Sequence, residues 1–143
     1  MVHFVIPNNT EYHCLAIGTW LCEAICSLGD PGVSVSVLKT QMIDTNAKFV
    51  ICYQNSRRNV YKALEELDLL GKVQVVVMEN AIKNEDFVMI DEPGFSYFED
   101  FVEKAETLPQ PPLLQDGETK DSDTFAIFWS SGTTGRPKGK RWT

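Results

Sequence analysis

Ten consecutive residues towards the end of the chain hold most of what could do chemistry: Ser130-Ser131-Gly132-Thr133-Thr134-Gly135-Arg136-Pro137-Lys138-Gly139. Four hydroxyl side chains, three glycines and one lysine share this stretch. Glycine lets the backbone take positive φ and come close to a ligand, so several N–H groups can converge on one anion. Hydroxyls add short donors to phosphate oxygens, and the lysine adds a compact full charge. The combination reads as a polyphosphate cradle; the plainer reading is a Gly- and Ser-rich turn between two strands that holds nothing. It is not the common nucleotide loop GxxxxGK[ST], because the fifth residue after Gly132 is Pro137 and only three residues separate Gly135 from Gly139. GxGxxG fails as well, since the glycines are spaced three and four apart.

Other chemistry-bearing side chains are sparse or poorly spaced. Cys14, Cys22, Cys26 and Cys52 make no CxxC, and only His3 and His13 accompany them, so no metal site is expected. The cysteines read as buried, reduced thiols. His13 reads as a packed or surface residue of a helix, and Glu99, Asp100, Glu103 and Glu106 read as the wet face of a short helix rather than a carboxylate pair. Trp129 ends an apolar strand and reads as core packing. Arg136, Lys140 and Arg141 read as solvated charge.

Charge narrows the partners. The net charge is -7, yet four of the thirteen basic residues lie in the last eight positions, and residues 1 to 135 hold nine basic and twenty acidic side chains. A basic end on an acidic body suits a local anion site and disfavours nucleic acid or an anionic membrane surface. With 43% hydrophobic residues over 143 positions, the composition is that of one globular domain or part of one. The apolar run from Cys14 to Cys22 is too short for a transmembrane segment, which needs about 20 residues, so the protein is expected to be intracellular.

The elements that must position the ten residues follow from periodicity. Val2 to Ile6 reads as a strand, Pro7 to Thr10 as a turn, and a helix is expected from near Glu11 as far as Leu28, stopped by Gly29-Asp30-Pro31-Gly32 and so apolar that it should be largely buried. A second helix spans about Ser36 to Thr45. Phe49 to Tyr53 and Val73 to Met78 are apolar runs of strand length flanking a helix with a stripe of Val60, Ala63, Leu64 and Leu67. Strand, helix and strand in this order predict a parallel sheet. Residues 79 to 94 are polar and poorly patterned, 95 to 105 predict a short helix, and 107 to 123 an exposed connector. Thr124 to Trp129 is a further strand that runs directly into the ten residues. The predicted fold class is therefore α/β, an incomplete, mainly parallel sheet flanked by helices.

After an apolar strand, the order hydroxyl, Ser, Gly, Thr, Thr, Gly, any residue, Pro, Lys, Gly resembles the phosphate loop of the acyl-adenylate-forming superfamily. These are the AMP-dependent synthetases and ligases, which include acyl-CoA synthetases, 4-coumarate-CoA ligases and beetle luciferases. Every position from Ser130 to Gly139 satisfies the pattern. Less specifically, His3 to Tyr12 (HFVIPNNTEY) resembles the family's strand, Pro-Asn turn and helix start, and Asn46 to Ile51 resembles its step from helix to strand. After Gly139 the family usually shows an aliphatic residue and then a histidine; Lys140-Arg141-Trp142-Thr143 departs from this.

The resemblance implies that residues 1–143 are part of the large N-terminal domain of an enzyme that activates a carboxylic acid with ATP and Mg²⁺. The acyl-adenylate would then usually be passed to the thiol of coenzyme A. Ser130, Ser131, Gly132, Thr133, Thr134, Gly135 and Lys138 would hold the phosphates of ATP. No catalytic side chain is carried over onto this chain, which would be inactive by itself as a fragment ending just after the loop. A non-catalytic, truncated or decayed paralogue serving as a binding module is the alternative. A cytoplasmic or a peroxisomal address fits the resemblance, which leaves the acid and the oligomeric state open.

Overall fold

The computed structural model describes residues 1–78, 91–109, 120–130 and 137–143. In chain order these form β1 (Val2–Val5), α1 (Thr10–Leu21), β2 (Cys26–Gly29), α2 (Val35–Thr45), β3 (Phe49–Tyr53), α3 (Arg57–Glu66), β4 (Gln74–Met78), β5 (Phe95–Tyr97), α4 (Phe98–Glu106), β6 (Ala126–Ser130) and β7 (Lys138–Trp142). The strands make one sheet in the order β5-β4-β3-β1-β2-β6-β7. Every neighbouring pair from β5 to β6 is parallel, and only β7 runs antiparallel, against β6. This is the mainly parallel α/β sheet that the sequence predicts.

Alternation along the strands sends side chains to two cores. Val5, Val50, Cys52, Val75 and Val77 face α2 and α3, where Leu38, Met42, Val60, Ala63 and Leu64 are buried. Phe4, Ile6, Cys26, Ile51, Tyr53, Val76 and Met78 face the other way, where Ala16 of α1 is buried and Tyr12, Leu15, Trp20 and Phe98 pack. Two-sided cover is the reason that 49–53 and 75–78 read as unbroken apolar runs. The helices divide between the faces by the handedness of parallel crossovers: β1 to β2 and β5 to β6 step one way across the sheet, and β2 to β3 and β3 to β4 step the other.

Several expectations are corrected. The helix predicted to reach Leu28 stops at Leu21, where Glu23 takes a left-handed conformation (φ 53°) and turns the chain into β2. Cys26 to Leu28 fits a helical stripe and a strand equally well, and pairing with β1 on one side and β6 on the other decides between them. Nor is α1 largely buried: Ile17 and Leu21 are about half exposed, and Cys14 and Cys22 are exposed, while Cys26 and Cys52 are buried as expected. Phe95 to Tyr97 is a strand on the edge of the sheet rather than the first turn of a helix. In β6 only Ala126 and Ile127 are buried, because β7 beside it is exposed along its whole length and no described helix covers Phe128. The described parts of the predicted connector, 107–109 and 120–123, are exposed; the remainder lies outside the described residues, as does most of the polar stretch 79–94. No helix among the described residues is long and apolar enough to cross a membrane.

Candidate functional site

A cleft of about 880 Å³ opens at the carboxyl ends of β1, β2 and β6. Its position follows from the topology. The chain leaves β1 towards α1 on one face and leaves the neighbouring β2 towards α2 on the other, so the two connections part and leave a crevice between them. Ile6-Pro7-Asn8 forms one wall, Gly29 to Val33 the floor and far wall, Val37 and Gln41 of α2 the back, and Phe128-Trp129-Ser130 with Pro137 the side towards the hairpin.

Local hydrogen bonds hold the two turns at the mouth. Asn9 caps α1 by accepting the Tyr12 N–H at 2.9 Å, and its amide nitrogen also donates to the Tyr53 hydroxyl at the end of β3. Asp30 accepts the Gly32 N–H at 2.6 Å, closing the turn after β2, and Ser56 donates to the Pro31 carbonyl at 3.1 Å. Ser34 caps α2 through the Val37 N–H.

Below the floor runs a polar row that sequence reasoning missed. Trp129 Nε1 donates to Ser27 Oγ at 2.9 Å, and Ser27 Oγ lies 2.8 Å from His3 Nδ1. An indole N–H can only donate, so Ser27 Oγ accepts from Trp129, and its second lone pair or its own proton pairs with His3 Nδ1 according to the tautomer of the neutral imidazole. Burial drives the His3 pKa down to about 4, with Gln41 and Ser27 pulling weakly the other way. His3 Nε2 and Gln41 Oε1 are both buried without a hydrogen-bond partner. The nearest signal in the sequence was a histidine and a serine in otherwise apolar strands, at positions that become Cα partners only once β1 and β2 pair.

Of the predicted phosphate-holding residues, Ser131, Gly132, Thr133, Thr134 and Gly135 lie outside the described residues. Ser130 and Lys138 are described and are brought together as Cα partners at the mouth of the β6–β7 hairpin, where Ser130 Oγ donates to the Lys138 carbonyl at 3.4 Å. Both are exposed. Both ends of the ten-residue stretch therefore belong to strands, and β7 itself was not foreseen. Trp129 is half-buried and hydrogen-bonded rather than simple core. His13, Lys140, Arg141 and the acidic face of α4 are exposed as expected, with Lys140 Nζ 5.3 Å from the Trp142 ring centre; Arg136 lies outside the described residues. Among the described residues no group of three or more His, Cys, Asp or Glu is placed to hold a metal ion.

Comparison with known proteins gives one family match, described as AMP-binding enzyme and covering residues 1–141. The 4-coumarate–CoA ligase-like 6 of Arabidopsis thaliana and the 4-coumarate-CoA ligase 1 of Narcissus pseudonarcissus are each 28% identical over 139 residues. Those residues make up 97% of this chain but 22% of either relative, so the chain spans about a fifth of their length. Among solved structures, the luciferase-like enzyme of the nonluminescent mealworm Zophobas morio superposes with a TM-score of 0.72 at 21% identity, covering 99% of this chain and 30% of that one. The acyl-CoA synthetase of Brucella canis superposes with a TM-score of 0.67 at 21% identity, covering 98% and 22%. These two likenesses show the fold.

Proposed function

Since the chain belongs to the AMP-binding enzyme family, we propose that it is part of an ATP-dependent ligase that activates a carboxylic acid as its acyl-adenylate and passes the acyl group to a thiol, coenzyme A being the first candidate. The observation that carries this reading is the unbroken run from Ser130 to Gly139, in which Ser130 and Lys138 meet as Cα partners at the carboxyl edge of a parallel sheet beside the cleft. Backbone N–H groups of the glycine-rich stretch, the hydroxyls of Ser130, Ser131, Thr133 and Thr134, and the Lys138 ammonium would hold the β- and γ-phosphates. Held so, ATP presents its α-phosphorus to the carboxylate, and the donors stabilise charge on the departing pyrophosphate. Mg²⁺ would arrive on phosphate and water oxygens rather than in a protein cage, which suits a hard cation that keeps its waters.

The resemblance assigns no acid-binding and no α-phosphate-binding residue to these 143 positions. We therefore expect the 143-residue chain to bind phosphates without catalysing adenylation, because positioning accounts for roughly 7–11 kcal/mol of such a reaction. The test is calorimetric binding of magnesium pyrophosphate and MgATP to the chain and to Lys138→Ala and Thr133→Ala, together with acid-dependent pyrophosphate release across fatty, aryl and short-chain acids. A charge-assisted phosphate contact is worth about 1.5–3 kcal/mol, so Lys138→Ala should weaken binding at least tenfold. Binding unchanged within twofold would refute the clamp, and acid-dependent turnover lost in Lys138→Ala would refute the inactivity of the chain.

A further inference from the structure

The Trp129 indole is held at opposite edges. At one, Nε1 donates to Ser27 Oγ, which is itself anchored on the fully buried His3. At the other, Cζ3 and Cη2 lie over Gly139, where an added Cβ would stand 3.2 and 3.3 Å from them. Trp129 and Gly139 are Cα partners across β6 and β7, one step below the pair Ser130 and Lys138. The ring thus reaches from β2 across β6 to β7 at the level where the phosphate-loop sequence leaves the sheet and returns to it.

The packing around this hairpin is thin. All of β7 is exposed, Phe128 is 43% exposed, and Trp129 lies on the face of α2 and α3, with β2 and β1 standing between its strand and β3 and β4, where α3 packs. Backbone hydrogen bonds fix the register of β6 and β7 but leave the twist and splay of a two-stranded edge soft. A rigid bicyclic ring tied to the buried centre of the sheet removes that freedom, and the absence of a side chain on Gly139 is what lets it lie flat against the returning strand.

We propose that Trp129, held by Ser27 and by His3 behind it, is a positioning residue that sets the placement of Ser130 and Lys138 relative to each other as phosphate donors. The inference rests on the reading of Ser130 to Gly139 as a phosphate loop. It assigns to Ser27, 102 residues away in sequence, an effect on phosphate affinity that requires no contact with the ligand. The effect should pass through one hydrogen bond, so removing either partner, or both, should have the same consequence.

The experiment is calorimetric titration of the 143-residue chain with magnesium pyrophosphate, paired with ¹⁵N–¹H spectra of the three indole N–H groups. The variants are Ser27→Ala, Trp129→Phe, the double variant, Ser27→Thr and Lys138→Ala. Ser27→Ala should move the Trp129 indole resonance alone, and Ser27→Ala, Trp129→Phe and the double variant should all bind pyrophosphate five- to tenfold more weakly. Ser27→Thr, which keeps the hydroxyl, should stay within twofold of the unaltered chain. A purely structural role would lower the melting temperature while leaving the affinity of the folded protein unchanged. If Ser27→Ala does not fold, Trp129→Phe and Ser27→Thr carry the same comparison. Affinities within twofold for Trp129→Phe, with Lys138→Ala weakened tenfold, would overturn the positioning role and leave the phosphate loop standing. No pyrophosphate binding by the unaltered chain, or no loss in Lys138→Ala, would overturn the phosphate reading and this inference with it.

Discussion

Gly29 leaves the space that the His3 ring fills: a Cβ built on Gly29 would stand 3.0 Å from His3 Cε1, 3.1 Å from Nε2 and 2.8 Å from the Phe4 carbonyl oxygen. The contact sits where β2 ends and the floor of the cleft begins, so it joins the buried polar row to the candidate site. A backbone oxygen at 2.8 Å cannot swing aside as a flexible side chain could. Gly29→Ala should therefore destabilise the fold by about 1–3 kcal/mol, in the range of overpacked cores. Urea denaturation measures this, and a loss below about 0.5 kcal/mol would mean that the end of β2 yields more easily than the geometry implies.

His3 makes stability depend on pH in a definite direction. Its pKa falls from 6.5 to about 4 on folding because burial disfavours the imidazolium. Between these values the unfolded chain binds a proton that the native state refuses, so this contribution is complete above pH 6.5 and is lost as the pH falls towards 4. The loss at pH 5 should be about 2 kcal/mol. Urea midpoints at pH 7, 6 and 5 should show this slope in the unaltered chain and less than half of it in His3→Gln. Equal slopes would assign the pH dependence to other groups.

Leu64 and Ile43 offer a paired test of where the core lies. Leu64 of α3 is fully buried against the sheet, and Ile43 is 62% exposed on α2. Leu64→Ala should cost about 2–5 kcal/mol and Ile43→Ala less than about 0.5. Similar costs at the two positions would contradict the placement of α2 and α3 on the sheet.

The thiols should separate into two classes. Cys14 and Cys22 are exposed, while Cys26 and Cys52 are buried, and burial pushes the Cys52 pKa up to about 12. An aromatic disulfide reagent at pH 8 should titrate two thiols promptly in the native chain and four after denaturation. Four prompt thiols would place β2 and β3 outside a closed core.

The α/β architecture and the parallel strands at 49–53 and 75–78 were legible in the sequence, because two-sided burial writes a continuous apolar run, and the ordered Gly, Ser, Thr and Lys of Ser130 to Gly139 carried the resemblance to the family. These are local signals, carried by neighbours in the chain. The strand at Cys26–Gly29 was not legible, since its short apolar run suits a helix as well as a strand until β1 and β6 supply hydrogen-bond partners on both sides. The exposure of Cys14, Ile17 and Leu21 was hidden for a related reason: composition records how apolar a helix is, not how much of the sheet is left to cover it. The row His3, Ser27, Trp129, Gly139 is spread over four strands, and no periodicity within any one of them hints at it. Strand order brought those residues together, because only the pairing of β1, β2, β6 and β7 turns positions far apart in sequence into neighbours across a sheet.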